Sequence, residues 1–516
     1  MSTLQKVIAQ SDFKKLRQDF RDRNKTVVLC HGVFDLLHYG HIEHLNEAKA
    51  QGDILVVSIT ASKYVNKGPG RPYFNDQQRM SFLANIECVD YVMLSESPTV
   101  HDVVENVQPD IYVKGAEYAD ARNDVNGNIS SEQEIVERYG GRIYFTSGEV
   151  HSSTKLLNNF FGALPDNVIK ESQDMRKKYG ANVFEQIRNC VDGFRDLNIL
   201  VVGDITIDEY VFCKVQGVTR KDFTVSTLYD SSERYAGGGL AVARHLANFA
   251  GKVTFLSQMG MEEDILNFIL PKMPPVECRI VQSKNFITPV KRRYLKYHNL
   301  RQEFDKLFTI NRLLTAEQMK NVDCGNFLRN LRDISASYDA VVVCDYGHGV
   351  LSDEAIRLLE DRAKFLAVNC QTNTSNYGRN ILNRRYRRAD CFVVDEGEIR
   401  LASDQSLEPN SVLLHRLCDQ LKSRYAWLTL GASGALGICG DSETQLSALT
   451  LHVKDTIGAG DAFYSLALLG AIGGLPIDWA TLIANAAGAI NTNFLGNSRP
   501  VAKGDLLKFL STVLNV

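Results

Sequence analysis

Short apolar runs alternate with longer mixed stretches along the chain. Val27-Val28-Leu29-Cys30 is an apolar run of buried-strand length. The mixed stretch HIEHLNEAKAQG then predicts a helix stopped by Gly52, and Ile54-Leu55-Val56-Val57-Ser58-Ile59 predicts a second strand. Strand, helix and strand in that order imply a parallel pair, the start of an α/β sheet. The same apolar run recurs at Ile199-Leu200-Val201-Val202, ending on Gly203 and Asp204, and at Val341-Val342-Val343-Cys344, ending on Asp345. Residues 462–490 are the most apolar late region, but Gly473, Gly474, Pro476 and Asp478 interrupt them. They predict two buried helices and no membrane span. Residues 1–24 read as a polar helix leading in. Residues 161–196 read as a helical linker that starts near Gly162 and Pro165 and breaks at Gly180 and Gly193.

Composition narrows the class without naming a chemistry. The 516 residues exceed one ordinary domain, and 44% hydrophobic with 23% charged is globular. A net charge of −3 gives no field that would draw the chain to nucleic acid or to an anionic membrane. The 11 cysteines are scattered without a C-x-x-C pair, which argues against a zinc site or disulfide framework. With no apolar stretch near Met1 of the signal-peptide kind, a cytoplasmic location is expected.

Five stretches carry candidate chemistry. Val453-Lys454-Asp455-Thr456-Ile457-Gly458-Ala459-Gly460-Asp461-Ala462-Phe463 runs into an apolar helix expected to start at Ala462. Gly458 and Gly460 let the backbone N–H groups of 458–460 approach an anion at a positive helix end. Asp461, in the first turn, could take a proton from an attacking hydroxyl; a glycine loop that merely caps a buried helix is the alternative. Earlier, His31-Gly32-Val33-Phe34-Asp35-Leu36-Leu37-His38-Tyr39-Gly40-His41 joins a strand to a helix. His38 and His41 flank Gly40 where a polyphosphate would meet the helix start. Lys67 and Arg71 sit in a Gly/Pro-rich loop and could neutralise triphosphate charge, or be ordinary loop cations. Ser152, Ser153 and Thr154 precede a helical run and offer hydroxyls and N–H donors, or a plain helix cap. The cluster Lys291, Arg292, Arg293 is either a solvated face or an anchor for a phosphorylated substrate.

The stretch D-T-x-G-A-G-D at 455–461 resembles the signature of the ribokinase-like sugar kinases. G-x-F-D-L-L-H-x-G-H at 32–41 resembles the cytidylyltransferase-like nucleotidyltransferases. Lys67 to Pro72, Arg79, Val113-Lys114-Gly115 and His151 to Lys155 resemble the adenylyltransferase half of bifunctional heptose kinase/adenylyltransferases. The resemblance implies an α/β chain with a Rossmann-like nucleotidyltransferase domain over 25–160 and a ribokinase-like α/β sandwich over 197–516, the reverse of the usual fusion order. Residues 1–24 would be an extension and 161–196 the join. Asp461 would be the catalytic base, and Gly458, Ala459 and Gly460 the anion hole. Thr429, Gly431 and Gly434 would lie near the ATP phosphates. In the first domain His38 and His41 would be catalytic, with Gly32, Phe34, Gly40, Lys67, Arg71, Lys114, Ser152, Ser153 and Thr154 around the nucleotide. Asp208, Gly238, Gly239 and Asp345 would face the sugar, and Glu398 the water shell of Mg²⁺. The chain departs from the heptose kinases where Ala241 and His245 replace asparagines, His348 a lysine, and Asn369-Cys370-Gln371 the triplet D-P-K.

Together these imply an enzyme of nucleotide-sugar synthesis. A kinase would place phosphate on a sugar with ATP and Mg²⁺, and a nucleotidyltransferase would join ATP or CTP to a sugar 1-phosphate. The expected partners are nucleoside triphosphates, a sugar phosphate and a second copy of the chain as a dimer. Two alternatives stay open: a nucleotidyltransferase whose kinase-like half only binds sugar, and a kinase/cytidylyltransferase for a polyol or non-heptose sugar.

Overall fold

The computed structural model describes residues 6–65, 72–97, 99–115, 129–147, 164–219, 222–298, 303–334, 337–449 and 453–515. Lys67, Arg71, Ser152, Ser153 and Thr154 lie outside the described residues. The chain divides into two compact units. One runs up to Asp174 and includes the C-terminal stretch from Leu507; the other is Met175–Leu506. The expected linker contains the helices Asp166–Tyr179 and Val183–Gly193, and the division falls inside it. Helix Asp166–Tyr179 is held from its middle, where Ser172 Oγ donates to the Val513 carbonyl at 2.8 Å.

In the first unit, strands β1 (Val27–Gly32), β2 (Ile54–Thr60), β3 (Tyr91–Ser95), β4 (Ile111–Lys114) and β5 (Arg142–Phe145) form one parallel sheet in the order β3-β2-β1-β4-β5. Alternation along β1 serves two cores: Val28 and Cys30 join Leu45, Leu55 and Val57 on one face, while Val27 and Leu29 join Phe13, Val56 and Met93 on the other. The strand order reverses between β1 and β4. The crevice beyond the carboxyl ends of those two strands is where such sheets bind ligands. The expected N-terminal helix forms over Gln10–Asp22, and the helix after β1 is Tyr39–Lys49, ending just before Gly52.

Arg79 is the interior clamp of this unit. It is fully buried on helix Asp76–Ala84. Its guanidinium donates to the carbonyls of Val33 at 2.7 Å, Phe74 at 3.1 Å and Thr60 at 2.9 Å, and pairs with Asp76 at 2.5 Å. One cation thus ties the segment after β1 to the segment after β2.

The second unit has two sheets. Strands β6 (Asn198–Gly203), β7 (Ile205–Val218), β8 (Val225–Gly238), β9 (Lys252–Met259), β10 (Glu277–Gln282), β11 (Val290–His298), β12 (Glu303–Arg312), β13 (Ala340–Asp345), β14 (Leu366–Cys370), β15 (Cys391–Asp395), β16 (Tyr425–Thr429), β17 (Ala435–Cys439) and β18 (Ser442–Leu446) follow in sequence. Nine of them make the large sheet β10-β9-β6-β13-β14-β15-β16-β17-β18, parallel from β10 to β16 and antiparallel beyond. The other four make a smaller sheet, β12-β11-β7-β8. The inner half of β7 is buried and its outer half exposed. The two late helices are Ala459–Ile472 and Ile477–Asn491, buried almost throughout, so the first begins three residues before the expected Ala462.

If Arg79 is the clamp described, Arg79→Ala will strand three carbonyls and leave Asp76 without its counter-charge, held by Ser62. Protection of the β1 and β2 amides against hydrogen exchange should then fall by about 3–5 kcal/mol. A loss below about 1 kcal/mol would show the clamp to be incidental.

Candidate functional site

In the second unit the site forms where β13 and β14 end. The turn after β13 is fixed by the buried Asp204 carboxylate, which accepts from the N–H groups of Tyr346 at 2.9 Å, His348 at 3.1 Å and Val350 at 3.3 Å. Gly347 and Gly349 adopt φ of +68° and +102°, which the tight turn requires. Burial, then the charge of Asp345, pushes the Asp204 pKa up to about 7 against the pull of those three amides. The turn delivers the Tyr346 hydroxyl to Asp461 Oδ1 at 2.7 Å.

Asp461 and Asp208 line one cavity of about 240 Å³, with Gly238, Gly458 and Gly460. Gly458, at φ +86°, is the residue before helix Ala459–Ile472, so the helix start faces the space. A Cβ at Gly458 would collide with Asn497, so the loop tolerates only glycine there. Burial raises the Asp461 pKa to about 6; the Tyr346 phenol, Lys291 and Asn497 oppose that rise and Asp208 adds to it. The carboxylate is therefore a base near neutrality that sheds its acceptor role in mild acid. Arg293 pairs with Asp208, and burial lowers the Lys291 pKa beside Asp208 and Asp461. Sequence reasoning left Lys291 and Arg293 undecided and missed Tyr346, Gln371, Thr206 and Asn497, all of which line this cavity. Buried Asn497 Oδ1 and Thr206 Oγ1 have no hydrogen-bond partner among the described residues.

Other expected residues stand elsewhere. Ala459 does not line the cavity, and its N–H goes to the Thr456 carbonyl at 3.3 Å. Asp455, at the far end of the motif, accepts from the Gly496 and Ile457 amides and from Tyr210 of β7, tying the loop to the smaller sheet. Gly239 packs inward, where a Cβ would meet the Phe255 ring at 2.7 Å. Asp345 was expected at the sugar but is consumed as an anchor. It accepts from Gly347 N–H at 3.0 Å, from Arg385 at 3.2 Å and from the Tyr386 hydroxyl at 2.9 Å. Thr429 ends β16, and Gly431 and Gly434 form the turn before β17 with φ of +56° and +94°. His245 turns out to be a strap: its Nδ1 accepts from Val501 N–H at 3.0 Å and burial holds its pKa down to about 3.

Glu398, expected at the water shell of Mg²⁺, lies in the first turn of helix Glu396–Ala402. Its two oxygens accept from Thr372 N–H at 2.9 Å and Asp395 N–H at 3.0 Å, and burial pushes its pKa up to about 8. No group of three His, Cys, Asp or Glu among the described residues is arranged to hold a metal ion.

In the first unit His38 is the residue before helix Tyr39–Lys49 and His41 lies in its first turn. Their rings are 4.0 Å apart, centre to centre. His41 Nδ1 accepts from His38 N–H at 3.4 Å. Phe34 takes φ +48°, and its ring lies 5.4 Å from His41 and 3.1 Å from where a Gly32 Cβ would stand. Gly40 follows in the helix's first turn. Lys114, at the end of β4, pairs with Glu132 at 2.6 Å, so its charge is partly matched within the protein.

If the Tyr346 phenol stabilises the Asp461 carboxylate, removing it must raise that pKa. Carboxyl-carbon NMR should show Asp461 titrating near pH 6, with the midpoint moving to higher pH in Tyr346→Phe. An unmoved or lowered midpoint would contradict the assignment.

Residues 29–159 match the family described as Cytidylyltransferase-like, and residues 288–502 match the pfkB family of carbohydrate kinases. The chain is similar to "Bifunctional protein HldE" of Syntrophotalea carbinolica, 38% identical over 138 residues that are 25% of this chain and 27% of the relative. It is also similar to the protein of that name from Citrifermentans bemidjiense, 41% identical over 123 residues, 23% of this chain and 24% of the relative. The chain thus spans about a quarter of the length of these curated relatives. Among solved structures, Escherichia coli phosphofructokinase-2 in complex with potassium is 15% identical, with a TM-score of 0.48 over 61% of this chain and 99% of that one. Arabidopsis thaliana ribokinase complexed with ribose and ATP is 16% identical, with a TM-score of 0.44 over 61% of this chain and 99% of that one.

Proposed function

We propose that this chain, a cytidylyltransferase-like region followed by a pfkB-family carbohydrate kinase region, is a bifunctional enzyme of nucleotide-sugar synthesis. The observation that carries the kinase half is Asp461, a buried base at a helix start that shares one small cavity with Asp208, Lys291 and Arg293. A sugar hydroxyl held by Asp208 gives its proton to Asp461 as its oxygen attacks the γ-phosphorus of ATP. The bond to the β,γ-bridging oxygen breaks and ADP leaves. The helix start and the two cations stabilise charge on the transferred group. The divalent ion expected with ATP would enter on the nucleotide's own phosphates.

The first unit performs the second reaction. An oxygen of a sugar 1-phosphate attacks the α-phosphorus of a nucleoside triphosphate, ATP or CTP, and pyrophosphate leaves. The His41 imidazole and the helix start beside His38 stabilise the charge gathering between the α- and β-phosphates. Lys67, Arg71, Lys114, Ser152, Ser153 and Thr154 complete this proposed nucleotide site, and Thr429, Gly431 and Gly434 the ATP site of the kinase. Catalysis of both kinds is positioning and electrostatics, with no covalent intermediate.

A homodimer is part of the proposal. Val215, Val218, Leu228, Phe308 and Ile310 are exposed apolar residues on the smaller sheet, and covering them would remove an aggregation risk. No helix among the described residues is long and apolar enough to cross a membrane.

The two halves should be separable. Asp461→Asn is expected to cut ATP-dependent sugar phosphorylation by about 10²–10⁴-fold and to leave pyrophosphate release from nucleotidyl transfer unchanged. His41→Ala is expected to do the reverse. An Asp461→Asn protein that still phosphorylates sugar would overturn the kinase assignment. A chain in which the kinase-like half only binds sugar would form no phosphorylated product even before substitution.

A further inference from the structure

The turn after β13 sends alternate side chains to different cavities. Tyr346 bonds Asp461, whereas His348, two residues on, lines a second and larger cavity of about 880 Å³. His348 is 1% exposed, and neither ring nitrogen has a hydrogen-bond partner among the described residues. Burial, then the nearby Lys291 charge, holds its pKa down to about 3. At neutral pH the ring is therefore uncharged and offers one N–H donor and one bare acceptor nitrogen. Burying both unmatched is unfavourable. The ring cannot readily relax out of that position, because its own backbone N–H is one of the three donated to Asp204.

The remaining wall has two characters. Leu314, Met319 and Leu351 make one side apolar. Lys320 and Arg379 are exposed and also line the cavity, with Arg379 steadied by a 2.7 Å hydrogen bond to the Ser375 carbonyl. The acids in the same wall are already engaged, Asp345 by Arg385 and Tyr386, and Glu354 by Arg332 at 3.6 Å. Two cations and one unmatched imidazole remain for whatever enters.

We propose that this cavity is a ligand site distinct from the Asp461 cavity, and that it takes a small phosphorylated polyhydroxy compound of the sugar phosphate class. One ligand hydroxyl can donate to the bare ring nitrogen of His348 and a second can accept from its N–H, a match that water-excluded apolar walls strengthen. The phosphate meets Lys320 and Arg379, where it stays partly hydrated. The apolar side packs against the C–H face of the sugar.

The full chain carrying Asp461→Asn, which cannot turn substrate over if the kinase assignment holds, is titrated by calorimetry. The probes are glucose 6-phosphate, glucose 1-phosphate, glucose and inorganic phosphate. Imidazole ¹H–¹⁵N spectra assign any response to His348. At least one hexose phosphate is expected to bind and to move the His348 ring resonances. His348→Leu, and separately Lys320→Ala with Arg379→Ala, should each weaken that binding by about tenfold or more. His348→Leu should melt at the same or a higher temperature without ligand, since it removes two unmatched polar atoms, so lost binding would not reflect lost folding. The proposal is overturned if no hexose phosphate perturbs the His348 ring, if inorganic phosphate binds as tightly as the sugar phosphates, or if the substitutions leave affinity unchanged. Failure of the kinase reading would appear as absent sugar phosphorylation by the unsubstituted chain, and would leave this binding intact.

Discussion

A buried carboxylate with three backbone donors organises the second unit. Asp204 leaves β6 and takes the N–H groups of Tyr346, His348 and Val350. Without it, three amides of a turn at the carboxyl end of the parallel sheet would be buried and unpaired. With it, the turn has one conformation, and everything it carries has one position. Tyr346 is set against Asp461, Asp345 against Arg385 and Tyr386, and His348 against the larger cavity. The cost is visible in Asp204 itself, whose pKa burial raises to about 7.

A second tie joins the smaller sheet to the helix start. Asp455 holds the loop before Gly458 through the Ile457 and Gly496 amides and also takes the Tyr210 hydroxyl from β7. The neighbouring β11 supplies Lys291 and Arg293 to the cavity. The smaller sheet is thus fastened to the same loop whose glycines face the ligand space. The two acids of one short motif differ in place: Asp455 ties the loop down and Asp461 lines the cavity.

The strands were legible because buried parallel strands need continuous apolar runs, and Val27–Cys30, Ile199–Val202 and Val341–Cys344 are such runs. The 455–461 motif was legible for a local reason too, since a positive φ at Gly458 and an acid in the first helical turn are properties of adjacent residues. Tyr346, Gln371 and Asn497 were not, because they reach the Asp461 cavity only through long-range folding of β13, β14 and the C-terminal segment. Asp345 misled for the converse reason: an acid at the end of a strand reads as functional until its partners, Arg385 and Tyr386, are seen forty residues away. Arg79 entered only as part of a family resemblance, and the structure shows it fully buried, its partners lying after two different strands. His245 departs from the heptose kinase pattern because it straps Val501, so that difference concerns the chain's own packing.

The proposed role of Asp461 is that of a carboxylate near neutrality deprotonating a sugar hydroxyl beside a helix start. Phosphorus NMR of the protein with ATP, Mg²⁺ and a panel of sugars, followed at pH 8 and at pH 5, tests it most directly. A phosphomonoester resonance should grow as the γ-phosphate resonance falls, several-fold more slowly at pH 5, because Asp461 is then largely protonated. A γ-phosphate that stays intact across the panel, or a rate indifferent to pH between those values, would contradict the account.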